Sequence, residues 1–316
     1  MSDQPDPQRE AGSADPGEGG WLRSALSGEN LRRRREAEQH PSPAPEGPVA
    51  TTAPDHALSP LGAPPMPATP TGEVRWWTAG ATLAAGVLLV VTAYAGPWPL
   101  AAAGLLVVAV MAWGWPTLVD LPSPRGSLAT VAVGGAACVL SVALSHEEPL
   151  LQWLALALAG AVVLEFVHQL ARRDGRPRLV ECVTGTLAGV VVLASMSAWV
   201  ALPRTEVGAD GVLLAVAPVA IGVAMQALPL PGRVASVSGV VASVLLAGLV
   251  AGLVPEPTVV TGLATGLVAG AVALMLHRLL SVLPPAGSAP AWLALALAPL
   301  ASSGMVTYVA LRLMVG

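Results

Sequence analysis

The chain has 316 residues, of which 54% are hydrophobic and only 11% are charged, with a mean hydropathy of +0.66. A soluble protein carries about 25% charged residues, so composition excludes an ordinary soluble enzyme and describes a multi-span membrane protein. The net charge of −4 specifies no partner, and no nucleic acid is expected as one.

Residues 1–75 read as a tail. They hold 13 of the 30 prolines, 11 of the 20 acidic residues and 7 of the 16 basic residues, every basic residue in the chain being arginine. Such a segment buries too little apolar surface to offset the entropy of ordering it, so a disordered, Pro-rich cytoplasmic tail is expected. One island differs: Trp21, Leu22 and Leu26, followed by Arg32, Arg33, Arg34 and Arg35. Leu22 and Leu26 are four residues apart and share a helix face. The island is either a short helix that forms on a protein partner or on anionic headgroups, or a solvated run of charge. The tail starts with Met-Ser-Asp-Gln-Pro, which is not the start of a signal peptide.

From Trp76 the chain is apolar almost throughout. A helix needs about 20 apolar residues to cross hydrocarbon, and nine such segments fit: approximately 76–95, 99–119, 127–145, 149–170, 182–202, 211–230, 234–253, 258–281 and 290–314. The expected fold is therefore all-α, a polytopic transmembrane bundle over 76–316 with short connections. Arginine placement sets the sidedness. With the tail inside, the inner connections carry Arg125, Arg172, Arg173, Arg176, Arg178, Arg233 and Arg278, and the outer ones only Arg204 and Arg312. The C-terminus then lies outside the plasma membrane. Trp76, Trp77 and Trp292 are expected as interfacial anchors at the inner face, and Tyr94, Trp98, Trp153, Trp199 and Tyr308 at the outer face.

Two stretches look duplicated. Leu121-Pro122-Ser123-Pro124 is matched 107 residues on by Leu228-Pro229-Leu230-Pro231, and His168 is matched 109 residues on by His277. Residues 76–170 and 182–281 are thus candidate parallel four-helix repeats, with 290–314 as an added helix.

Three side chains carry the candidate intramembrane site. Glu165 is the one acidic residue expected inside hydrocarbon, and His168 and Arg172 follow at +3 and +7 on the same face. A carboxylate beside an imidazole could relay protons or bind a cation. Alternatively, Glu165 pairs with His168 or Arg172 and fixes the depth of its helix. Small-residue stripes, Gly185/Gly189, Gly248/Gly252 and Gly262/Gly266/Gly270, suit close helix packing, within one chain or between copies in a homo-oligomer. Pro116, Pro218 and Pro299 should kink their helices, and Pro299 with Ser302 and Ser303 could break the last one. Cys138 and Cys182 have neither the spacing nor the histidines of a metal site. No nucleotide-binding, metalloprotease or nucleophile-elbow motif occurs, so neither catalysis nor a cofactor is expected.

The run Trp115-Pro116-x-Leu118-x-Asp120-Leu121-Pro122-x-Pro124-Arg125-Gly126-Ser127, with Phe166-Val167-His168-Gln169-Leu170 and the arginine-rich loop to Glu181, resembles poorly characterised membrane proteins of high-GC actinobacteria, a loosely SepX-like group. The resemblance implies a role in septation, cell division or the envelope, with the tail meeting cytoplasmic division or cell-shape proteins. It supplies no functional residues. The sequence leaves two functions in view: a non-enzymatic scaffold, or a secondary transporter or permease.

Overall fold

A computed structural model describes residues 72–173, 175–283 and 288–315. The tail residues Trp21, Leu22, Leu26 and Arg32 to Arg35 lie outside the described residues. Those described are helical, without strands. Inside a bilayer each backbone N–H and C=O needs an internal partner, and a helix supplies it within one segment. Nine helices among the described residues are long and apolar enough to cross a membrane. They are α1 (Gly72–Ala95), α2 (Pro97–Leu118), α3 (Pro124–Ala143), α4 (Leu154–Ala171), α5 (Leu179–Ala201), α6 (Gly208–Ala224), α7 (Gly232–Ala251), α8 (Val259–Ser281) and α9 (Ala289–Val315).

Local chemistry sets the breaks. Between α1 and α2 the chain reverses on Gly96, whose φ of 124° is open to glycine. Proline opens α2 and α3, where its missing N–H costs nothing. Thr258 caps α8 by accepting from the Thr261 N–H at 3.3 Å.

The bundle is built with small residues inside and large ones outside. Leu156, Val163, Leu245, Leu253 and Met275 are all exposed, as befits side chains that meet lipid rather than water. The interior is rich in alanine, and α9 runs through it against α1, α2, α5 and α8. Its Ala291, Ala294, Ala296, Ala298 and Ala301 are wholly buried. Helix α4 is peripheral, and buries only Leu154, Ala161, Glu165 and Gln169.

Side-chain contacts define the two ends. At one, Arg75 bonds the Gln226 and Leu228 carbonyls, Arg178 bridges Asp120 and Glu181, and Trp77 lies 6.4 Å from Trp292 between ring centroids. At the other, Tyr94 donates to Asp210, Arg204 to the Val142, Ala143 and Ser145 carbonyls, and Arg312 to Glu148. The loops expected on one face thus gather at one end. The loops 144–153 and 252–258 each contain a cis Glu-Pro bond. Pairs α2/α3 and α3/α4 have packed counterparts in α6/α7 and α7/α8.

Several sequence expectations are corrected. Helix α4 begins at Leu154, not 149, because residues 149–153 form turns. Helix α6 ends at Ala224 and tightens into a 3-10 turn, Met225–Ala227, before the Leu-Pro-Leu-Pro loop. Pro299 does not interrupt α9, which is continuous from 289 to 315. Trp199 and Tyr308 are buried, not interfacial. Trp199 turns inward because its indole N–H reaches the Leu300 carbonyl at 3.0 Å, which meets the polar atom's need inside the bundle.

Candidate functional site

Two polar regions occupy the arginine-rich half of the bundle. The first joins α3, α4 and α5. Glu165 is fully buried on the single stripe that attaches α4. Gln169, one turn on, donates from Nε2 to Glu165 Oε1 at 2.5 Å and to the Cys182 sulfur at 3.1 Å. Ser127 Oγ lies 3.6 Å from that sulfur and accepts from Thr186 Oγ1 at 2.9 Å. From the loop side, Arg172 donates to Gln169 Oε1 at 3.0 Å. Glu165 Oε2 alone in this chain of contacts has no hydrogen-bond partner.

Glu165 and Arg172 are therefore linked through Gln169 rather than through His168. His168 turns to Ser123, 3.2 Å away, and its ring fills the space above Gly126, where an added Cβ would fall 1.8 Å from the imidazole. Chemically, the arrangement is a buried carboxyl group with one oxygen engaged by Gln169 and the other left open. Gln169 was within reach of sequence reasoning, being four residues from Glu165 on one face. Ser127, Thr186 and Cys182 come from two other helices and gave no separate signal.

The second region is a cavity of about 320 Å³ between α1, α6, α7, α8 and α9. Its lining includes Arg75, Arg278, His277, Thr78, Thr82 and Gln226, and no carboxylate among the described residues. Arg75 enters from the first turn of the described α1. Arg278 donates to Ser236, while its Nη2 is buried with no partner. An added Cβ on Gly232 would lie 2.8 Å from Arg278 Nη1, so glycine at the start of α7 is what lets the guanidinium rest there. His277 is 9% exposed; it lines the cavity together with Leu295, and its Nδ1 is unpartnered. Pro299 has no N–H to give the carbonyl four residues back, which is that of Leu295 on the cavity wall.

The chain matches no protein-family model, no curated protein and no solved structure. Its own geometry therefore carries the functional reading.

The glycine stripes are filled from within the chain. The Trp115 indole sits over Gly189, 2.7 Å from where a Cβ would be, and donates to the Gly185 carbonyl at 2.8 Å. Leu263 packs on Gly248, and Gly262, Gly266 and Gly270 face Ala247, Ala251 and Ser243 of α7. Gly252 is the C-cap of α7. At the loop surface, Arg178 is held protonated first by its bond to Glu181 and then by Asp120. These groups are exposed, and such pairs contribute little stability. Cys138 and Cys182 are separate, buried thiols.

Proposed function

We propose that this integral membrane protein is a non-enzymatic scaffold of the plasma membrane, whose N-terminal segment gathers cytoplasmic division or envelope proteins. The observation that carries this reading is the contrast between the two parts of the chain. Helix α9 fills the bundle with alanine, a build suited to anchoring. Ahead of the bundle stands a Pro-rich sequence with one aromatic residue, Trp21, and four consecutive arginines. Segments of that composition bind through short motifs. The tail and the arginine-rich end face the cytoplasm in this reading, as the arginine bias favours.

The test is localisation in the native cell. A full-length fluorescent fusion should concentrate at sites of division or envelope growth, and a fusion lacking residues 1–71 should spread evenly around the membrane. An even distribution of the full-length protein, with normal septa in a deletion strain, counts against a scaffold.

A second reading, a secondary transporter, is favoured by one observation: the buried Glu165 carboxyl with a free oxygen. A duplication of 76–170 in 182–281 would suit it. Proteoliposome flux that is proton-coupled in the wild type and uncoupled in Glu165→Gln would support it. A wild type with no proton-coupled flux of any solute, or coupling unchanged in Glu165→Gln, removes the proposed role.

A further inference from the structure

We propose that the cationic cavity is the headgroup site of an anionic glycerophospholipid, and that an acyl chain of the same lipid lies along the seam of α1 and α6. The inference does not depend on what the tail recruits.

Charge is the first ground. Two guanidinium groups line the cavity and no carboxylate does so among its described lining residues. Arg278 Nη2 is buried without an acceptor. The guanidinium also rests against Gly232, at the start of α7. A helix N-terminus carries partial positive charge and N–H groups with no partner inside the helix. Cation beside cation is unfavourable in a low-dielectric setting. A phosphate between them turns repulsion into two attractions, and guanidinium matches phosphate with paired donors.

The second ground is the complement of acceptors deeper in. Thr82 Oγ1 spends its proton on the Ala296 and Thr78 carbonyls, at 2.8 and 2.9 Å. Thr78 Oγ1 spends its own on the Arg75 carbonyl at 2.8 Å. Both oxygens keep lone pairs, and both residues are buried. His277 Nδ1 is unpartnered, and the residue is buried. A ligand fitting this lining has an anionic oxygen cluster at the arginines and hydroxyl donors beyond it. A phosphoglycerol headgroup has both; a choline headgroup has no hydroxyl and brings a cation of its own.

Position decides in favour of lipid over a soluble phosphate. The cavity takes Thr78, Ala79 and Thr82 from α1, Val223 from α6 and Ala227 from the 3-10 turn that follows it. An apolar groove of about 240 Å³ takes Leu83, Gly86 and Val87 from α1 and Ala217, Ala220 and Ile221 from α6. The groove thus continues along the same two helices, starting one residue after Thr82. Val87 and Ile221 on its rim are exposed, open to the hydrocarbon side. Basic pockets between helices at the level of the headgroups are known to suit anionic lipids.

The test uses native mass spectrometry of the full-length protein in detergent, with phosphatidylglycerol and phosphatidylcholine of identical acyl chains. The wild type should prefer phosphatidylglycerol by about 10-fold, the scale of a charge-assisted contact. Arg278→Gln should remove most of that preference. Ala79→Leu keeps every charge but fills the cavity, so it should remove it too, and it answers if Arg278→Gln fails to fold. Arg312→Gln, at the opposite end, should leave the preference intact. Soluble glycerol phosphate should compete only at concentrations at least about 100-fold higher, since it lacks the apolar chain. Equal binding of the two lipids by the wild type overturns the proposal, as does a preference that survives in Arg278→Gln or in Ala79→Leu. Competition by glycerol phosphate at lipid-like concentrations overturns its lipid part and leaves a soluble-anion site.

Discussion

Glu165 and Gln169 illustrate how few side chains attach a peripheral membrane helix. They are half of the buried residues of α4, so the bond between them and the bond to Cys182 are structural wherever else they serve. Replacing Glu165 with leucine leaves Gln169 with an unmet donor in the interior, at about 1–3 kcal/mol. Glu165→Gln removes a buried ionisable group and can keep the contact through its side-chain carbonyl. Melting in detergent should therefore fall for Glu165→Leu and stay near wild type for Glu165→Gln. A lower melting point for the glutamine variant than for the leucine variant would mean that the charge itself is structural. Gly266 makes a second residue-scale case. A Cβ there would lie 2.6 Å from the Ser243 carbonyl oxygen, and backbone cannot step aside as a flexible side chain can. Gly266→Val should cost about 1–3 kcal/mol. Gly80, with nothing within 4 Å of its Cβ position, should tolerate alanine without loss, and the two variants can be compared in the same melting assay.

At the scale of the element, α4 is a helix that covers rather than one that fills. Cys182 lies beneath it, wholly buried, with Gln169 against the sulfur. Gln169→Ala should let a membrane-permeant maleimide reach Cys182 sooner than in the wild type. Equal labelling in both proteins would show that α4 stays closed without the amide. The element scale is also where sequence reading divides most clearly from structure. Length and hydropathy placed all nine helices, because hydrocarbon admits one local solution for an apolar run of that length. They missed the start of α4 by five residues, since Pro149 to Trp153 are apolar enough to continue a span while their turns end it. They also sent Trp199 and Tyr308 outward. Tryptophan and tyrosine near a helix end signal an interface by composition alone, and only the packing of α5 against α9 reveals an inward-facing indole. The Glu165 cluster was half legible for a related reason. Helical spacing shows what shares a face with Glu165, but not that Cys182, Ser127 and Thr186 extend the cluster beyond Gln169 from other helices. The cavity was not legible at all: Arg75, Gln226 and His277 are far apart in sequence, and each has an ordinary explanation where it stands.

For the whole molecule, the distribution of arginine sets the expected orientation. Alkaline phosphatase fused after Arg178 should be inactive, and fused after Gly316 it should be active. The reverse at both points would invert the bundle, and activity at neither would require an even number of crossings. The tail is expected to add an electrostatic contact of its own. Each arginine near an anionic leaflet contributes about 1 kcal/mol, decaying over a Debye length. Alanine at Arg32 to Arg35 should therefore weaken binding of a 1–75 peptide to anionic vesicles, and added salt should do the same to the wild-type peptide. Trp21→Ala should weaken it with less dependence on salt, because an indole contributes by apolar burial. A peptide whose binding ignores both salt and the arginines leaves only a protein partner for this island.

The hydrogen bonds of Arg75 have a mechanical consequence. Arg75 is the most N-terminal of the described side chains, and it grips the carbonyls of Gln226 and Leu228 across the bundle. Along the described chain, a pull from the N-terminal side meets this clamp before the tertiary contact of any later described side chain. The same guanidinium lines the cavity. A pull transmitted through Arg75 therefore acts on the wall of the cavity.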